Sequence, residues 1–335
     1  MTIVEVSRPA RAVARAESVG SLLRDARLTS QIEKIFADRH TFVRPLVLES
    51  RAEEIAELNR LADEVVPGLV QRQIDSGLDV VTDGEVRRST FVSSFSDSVT
   101  GFGEPSSRPT EPVVTAAILV DRVRKAYGPA AEETAFLRAI TGGFPFKITV
   151  PSPSYVLSDF ITVDGEIYKT HAAFLEDVVH TTQQIVAEVI AAGARWIQFD
   201  FPIYPALVAE RTSHLGSMIE GAKREGETID SLLEKGLAAD AAVAAAIPDD
   251  VTVALHLCRG NIPGGGFWDG SLAPIAERMF NELPHRRFLF EWEDIAREGD
   301  FAPIRSVPKD RVMAMGIIST KTPELENEDE IVRRI

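Results

Sequence analysis

His256 and Cys258 stand two residues apart at the end of an apolar run, Val251–Leu257, that reads as a buried β-strand. Residues two apart on a strand face the same side, so the imidazole and the only thiol of the chain share one wall. Both are zinc ligands, and a coordinated cysteine is bound as thiolate. The same spacing also suits a buried thiol beside a hydrogen-bonded core histidine. Glu291 closes a second apolar run, Arg287–Phe290. As a third donor it would complete a His/Cys/Glu set with one open position, the arrangement of a catalytic zinc site rather than a closed structural one. Otherwise it opens a solvated acidic loop with Glu293 and Asp294. Asp83 and Glu85 could divide acid and base roles, or simply cap a turn. Gly264-Gly265-Gly266 lacks the Gly-Lys-Ser/Thr end of a phosphate loop and reads as a flexible connection. His171, His180 and His214 have no ligand spacing, and the acidic run Glu324–Glu330 reads as a solvated helix start.

These residues need a frame, and the hydrophobic pattern supplies one. Ser50-Arg51-Ala52-Glu53 has the form of a capping box with Ser50 as N-cap. The helix after it carries Ile55, Leu58, Leu61 and Val65 on one stripe, is expected to kink or break at Pro67, and stops at Gly77. A short apolar run, Leu78–Thr82, then ends at Asp83. The same order returns later: a helix over Tyr168–Ala192, Gly193, a run over Arg195–Phe199, and Asp200. Seven such strands are expected, near 18–22, 78–82, 146–150, 195–199, 251–257, 287–290 and 311–318. Helices such as 231–247 and 274–283 separate them. Strands that read as continuous apolar runs are covered on both faces, as parallel strands under helices are. The fold class expected is α/β, a (β/α)8 TIM-type barrel, with its last β/α unit missing from a chain that ends at Ile335. Residues 1–335 form one domain with an excursion at about 91–143. An open doubly wound sheet is the alternative, though no Gly-rich dinucleotide turn follows the first strand.

Composition narrows the function classes. The chain has 335 residues, 44% of them hydrophobic, enough to bury a sizeable core. A formal net charge of −15 argues against nonspecific nucleic-acid binding. One cysteine excludes an internal disulfide and fits a reducing compartment. No apolar run approaches a membrane span, and residues 1–16 have no signal-peptide core. A cytoplasmic enzyme is expected, with small-molecule substrates, no nucleic-acid or membrane partner, and a possible homo-oligomer.

Seven blocks in order resemble the catalytic barrel of cobalamin-independent methionine synthase and its single-barrel relatives. They are Ser18–Arg24, Thr82–Arg88, Lys147–Pro153, Ile197–Asp200, His256–Asn261, Phe290–Trp292 with Gly299–Phe301, and Gly316–Thr322. The form His256-Leu257-Cys258-Arg259-Gly260-Asn261 is most similar to the short branch, near epoxyalkane:coenzyme M transferase. The resemblance implies a Zn2+ site at His256, Cys258 and Glu291 that holds a small thiol acceptor as thiolate and delivers it to an alkyl donor. Zinc chemistry agrees, because the metal lowers a thiol's pKa enough to give a nucleophile at neutral pH. For a homocysteine-like acceptor, the resemblance implies that Val19, Gly20 and Ser21 hold the carboxylate and that Glu85 and Asp200 bind the ammonium.

Departures from the family pattern refine this. Ser319-Thr320-Lys321 stands where the family has the Asp-x-His that protonates a folate leaving group, which leaves the donor, methyltetrahydrofolate or another, open and makes Lys321 the candidate proton donor. Phe201 replaces an acidic residue, and Ser18 a histidine. The family's second cysteine ligand falls past Ile335. Arg259 is a candidate fork for a carboxylate or sulfonate, or else a structural ion-pair partner. The reading is a zinc-dependent methyl- or alkyltransferase acting on a small thiol. The alternatives are a non-catalytic or partner-dependent barrel subunit, and a zinc-free barrel lyase or decarboxylase.

Overall fold

Alternation along each strand decides which side chains meet at the centre of the molecule and which meet the helices. The structure, a computed structural model, describes residues 3–5, 13–36, 44–103, 117–158, 161–162, 166–212, 219–261 and 266–334. Among them are eight strands: β1 (Val99–Gly103), β2 (Ala117–Lys125), β3 (Ile148–Pro151), β4 (Ile161–Thr162), β5 (Trp196–Asp200), β6 (Thr252–Leu257), β7 (Arg287–Glu291) and β8 (Val312–Gly316). Five of them form one parallel sheet in the order β3-β5-β6-β7-β8. The segments at 17 and 80 extend it, through parallel bridges from Glu17 to Val80 and from Val81 to Phe146. The two expected strands near 18–22 and 78–82 are therefore reduced to single bridges. Polar side chains at their ends, Glu17 and Thr82, form bonds across the sheet interior or to loops in place of a ladder.

Thr149, Gln198, Ala254 and Arg287 lie side by side across β3, β5, β6 and β7, with Asp200, His256 and Leu289 forming the next row. These rows face inward. The alternate residues face the helices: Phe288 and Phe290 of β7 meet Phe280 of the helix Ala276–Glu282. At the floor of the sheet Glu17 joins Lys147 Nζ, at 2.6 Å, to the Arg287 guanidinium, with all three side chains at most 5% exposed. The fold is α/β with a parallel sheet. Among the described residues no strand pairs with the far edge of β8, so the sheet is not closed into a ring.

The helices follow their sequence signals with two exceptions. His171–Ala192 starts on Thr170, whose hydroxyl accepts from Ala173 N, and stops at Gly193, whose φ of +119° a residue with a Cβ rarely adopts. Ile229–Ala244 carries a reciprocal cap between Thr228 and Ser231. The box expected at Ser50 does not form. Helix Ala52–Asp75 is preceded by Arg51, and Ser50 Oγ donates back to Val47 O in the turn before it. Nor does Pro67 break that helix. It sits inside one continuous helix, because burial of Leu58, Ala62, Val66 and Val70 outweighs the roughly 3 kcal/mol that an internal proline costs. Segment 91–143 contains β1, β2 and the helix Pro129–Ile140. β1 and β2 pair antiparallel and β4 joins β2, making a small side sheet against the helix His171–Ala192.

Candidate active site

Three donors converge at the C-terminal ends of β6 and β7. One ligand atom each from His256, Cys258 and Glu291 lies within 4.8 Å of the others. β6 delivers His256, Cys258 follows directly after it, and Glu291 is the last residue of β7. Asp200, the last residue of β5 and the register partner of His256, places Oδ1 3.0 Å from His256 Nδ1. That leaves Nε2, a buried atom with no hydrogen-bond partner and with Glu291 Oε1 3.8 Å away. Glu291 Oε1 accepts the Arg259 backbone N–H at 2.8 Å, and the Cys258 sulfur accepts from Gly260 N at 3.3 Å.

Charges are balanced tightly here. Burial disfavours a charged His256, but Asp200 and Glu291 outweigh it and raise the pKa to about 9. Burial pushes Glu291 up, and His256 and Lys321 reverse this, lowering it to about 2. Burial and then the Glu291 charge push the Cys258 thiol well above its usual value.

The second group of expected residues sits just after the bridged segments at 17 and 80. The Ser21 hydroxyl and the Thr149 hydroxyl both bond the Glu85 carboxylate, and Arg88 Nη1 lies 3.4 Å from it. A Cβ on Gly20 would stand 2.9 Å from Glu85 Oε1, so glycine is what lets this backbone pass so close. Val19 is 44% exposed, and its carbonyl accepts from Gln198 Nε2. The same amide donates to Asp200 Oδ1, so Gln198 ties the two groups together. Glu85 and Phe201 hold φ values of +56° and +59°, a left-handed conformation that costs a non-glycine residue about 1–2 kcal/mol. Both lie at stave ends, where such strain collects at working sites. Phe201 packs between Phe91 and Trp268, each 5.0 Å away between ring centroids.

Two further expected residues lie beside the donor set. The Arg259 side chain is 2% exposed and turned toward the Trp268 carbonyl, so it presents no open fork; its backbone N–H is what reaches Glu291. Lys321 does reach the site, where its Nζ lies 2.7 Å from Glu291 Oε2 and also contacts Glu293. Burial pulls its pKa down, yet Glu291 and Glu293 outweigh that and hold it as an ammonium. Asp83 is buried, its Oδ1 accepting from Glu85 N, with a pKa raised to about 6 by burial and by Glu133. His171 pairs with Glu225 at the surface. Gly264, Gly265 and His214 lie outside the described residues.

Gln198, Thr149, Arg88 and Glu133 were not singled out as site residues in the sequence, and Glu293 was read there only as part of a solvated loop. The first two had a signal: a polar residue at an inward position of an otherwise apolar strand. Arg88 and Glu133 form a buried pair across 45 residues, with Nη2 to Oε2 at 2.7 Å, for which no local pattern exists.

The family described as cobalamin-independent synthase, catalytic domain, matches residues 39–264. The chain belongs to that family. It is also similar, at 28% identity over 96% of its length and 81% of the relative, to the uncharacterized protein YxjH of Bacillus subtilis strain 168. A methionine synthase of Sulfolobus acidocaldarius is 23% identical over 82% of this chain and 70% of its own. Among solved structures, a Listeria monocytogenes protein assigned as a vitamin-B12 independent methionine synthase aligns over all of this chain and 86% of its own, with a TM-score of 0.70 at 22% identity. The B12-independent methionine synthase of Shewanella sp. W3-18-1 aligns over 83% of this chain and 76% of its own, with a TM-score of 0.60 at 19% identity. These two likenesses support the synthase-type α/β fold. No helix among the described residues is long and apolar enough to cross a membrane.

Proposed function

We propose that this member of the synthase family transfers a methyl or other alkyl group to a small, homocysteine-like thiol, with His256, Cys258 and Glu291 holding a zinc ion. The observation that carries the reading is His256 Nε2, a buried ring nitrogen without a hydrogen-bond partner, aimed among a thiol and a carboxylate within 4.8 Å. Nitrogen, sulfur and oxygen donors in one set suit zinc rather than magnesium or calcium. When bound, zinc supplies the positive charge that keeps an acceptor thiol deprotonated near pH 7.

The rest is done by the chain's own residues. Asp200 holds Nδ1–H and so keeps the Nε2 lone pair directed at the donor set, the usual partner arrangement of a ligating histidine. Glu291 is fixed from both sides, by the Arg259 N–H on Oε1 and by Lys321 on Oε2. Val19, Gly20 and Ser21 border the acceptor, with Glu85 behind Ser21. The aromatic wall of Phe91, Phe201 and Trp268 keeps water from one side of the reacting carbon. Lys321, held as an ammonium, acts as an electrostatic partner of Glu291 in this reading rather than as the proton donor that the sequence suggested. In this reading the five-stranded sheet and the two bridged segments are seven staves of an eight-staved barrel, one domain working in the cytoplasm.

Elemental analysis of metal in wild type and Cys258→Ser tests the proposal, alongside thiol-methylation assays on chelated and zinc-restored protein. Near-stoichiometric zinc that falls in the variant, with activity that follows zinc, is expected. Activity that survives full chelation would overturn it.

A further inference from the structure

Glu291 belongs to two clusters at once. Besides its place with His256 and Cys258, its carboxylate lies with those of Glu293 and Glu298 in a second group of three, again with oxygens within 4.8 Å of one another. An all-oxygen set of that kind suits a hard divalent cation. Two of its members already share a cation of another sort, while Glu298 accepts from Asp294 N. The Lys321 ammonium lies 2.7 Å from Glu291 Oε2 and contacts Glu293 Oε1, with its side chain only 8% exposed. The loop that carries it is tied down. Ser319 Oγ accepts from Lys321 N, Ser319 N donates to Glu326, and Asn261 Nδ2 donates to Thr320 Oγ1 at 3.0 Å.

Resting on the metal reading above, we propose that Lys321 is the resident cation of the Glu291/Glu293/Glu298 cluster, and that it keeps a second metal ion out of the site. A lysine ammonium is a compact point charge with three donors, sized to sit between two carboxylates. Its presence leaves the His256 side of Glu291 as the open face for a metal. Without it, the buried Glu298 and the partly buried Glu291 and Glu293 would keep only His256 beside Glu291 and the charges of Arg259 and Arg297. The chain thus selects which metal it takes as well as where: the mixed nitrogen, sulfur and oxygen set stays available, and the oxygen-only set is filled from within.

The test uses Mn2+ as the hard probe and Co2+ as the probe of the thiolate set. Wild type, Lys321→Met, Lys321→Gln and Lys321→Arg are each loaded with one equivalent of Co2+. Mn2+ is then titrated in and its free fraction read by electron paramagnetic resonance. The neutral variants are expected to gain one bound Mn2+ per chain, with wild type and the arginine variant taking none. Equal Mn2+ binding in wild type and both neutral variants, whether present or absent, overturns the proposal; two neutral variants guard against one that fails to fold. The sulfur-to-cobalt absorption band of wild type reports the His256/Cys258/Glu291 set separately. Its absence would refute the zinc reading and leave the Mn2+ comparison to stand or fall by itself.

Discussion

Asp200 and His256 are register partners on adjacent parallel strands, and their side chains meet at 3.0 Å between Oδ1 and Nδ1. One backbone ladder therefore sets both the ring's position and its orientation. Asp200→Ala is expected to weaken zinc binding about 10–100-fold while leaving all three donors in place. Competition against a chromophoric chelator measures this; an unchanged affinity would mean that the ring is oriented by packing alone.

His285 is buried with neither ring nitrogen hydrogen-bonded, against the edges of Phe199 and Phe288. Burial, with Arg311 adding to it, lowers its pKa to about 3. The unfolded chain takes up a proton near pH 6.5 that the folded chain refuses, so this residue costs stability as pH falls from 6.5 toward 3. The loss approaches about 1.4 kcal/mol per pH unit. His285→Leu is expected to flatten that acid-side slope in urea unfolding measured at several pH values. A slope unchanged by the substitution would rule out this histidine as its source.

Glu17 is the shared anion of Lys147 and Arg287. Glu17→Gln leaves two buried cations against one neutral amide. A loss of about 3–5 kcal/mol is expected from denaturant midpoints. A loss under about 1 kcal/mol, the size of a surface pair, would indicate that water reaches the floor of the sheet.

Gly20→Ala places a methyl group 2.9 Å from Glu85 Oε1 and 3.1 Å from Thr149 Cγ2. Displacing that carboxylate is expected to cost about 1–3 kcal/mol, the usual range for overpacking. Thiol binding is expected to weaken more than zinc binding, because His256 lies on the other side of Gln198. Calorimetric titration with each separates the two effects.

Much of this architecture was legible from residue order. Gly193, Thr170 and the runs that become β5, β6 and β7 act through local physics: a left-handed stop, a hydroxyl cap and two-faced burial. His256, Cys258 and Glu291 were legible because each closes a strand, and parallel strands bring their ends together. Lys321 was legible as a position, but its partner Glu293 was hidden in a run of acids. The Ser50 box and the Pro67 break misled because tertiary contacts overrode a local preference. The two readings of Arg259, fork or structural partner, stayed open because sequence shows which residue follows a strand and not which way its side chain turns. Arg88 and Glu133 carry no mutual signal, since only the folded chain brings them together.

The floor contact of Glu17 also sets a timetable. Lys147 is 130 residues downstream of its partner, and Arg287 is 270. During synthesis that carboxylate can pair with Lys147 once β3 is made, but its second buried partner, Arg287, comes only with β7. Contacts of such separation are slow to form and reward folding late. Nascent chains that end before β3 carry that carboxylate unbalanced, which favours keeping its segment solvated. The pair of bridges at the start of the sheet is thus expected to be the last part laid down, sealing the floor once β7 has left the ribosome.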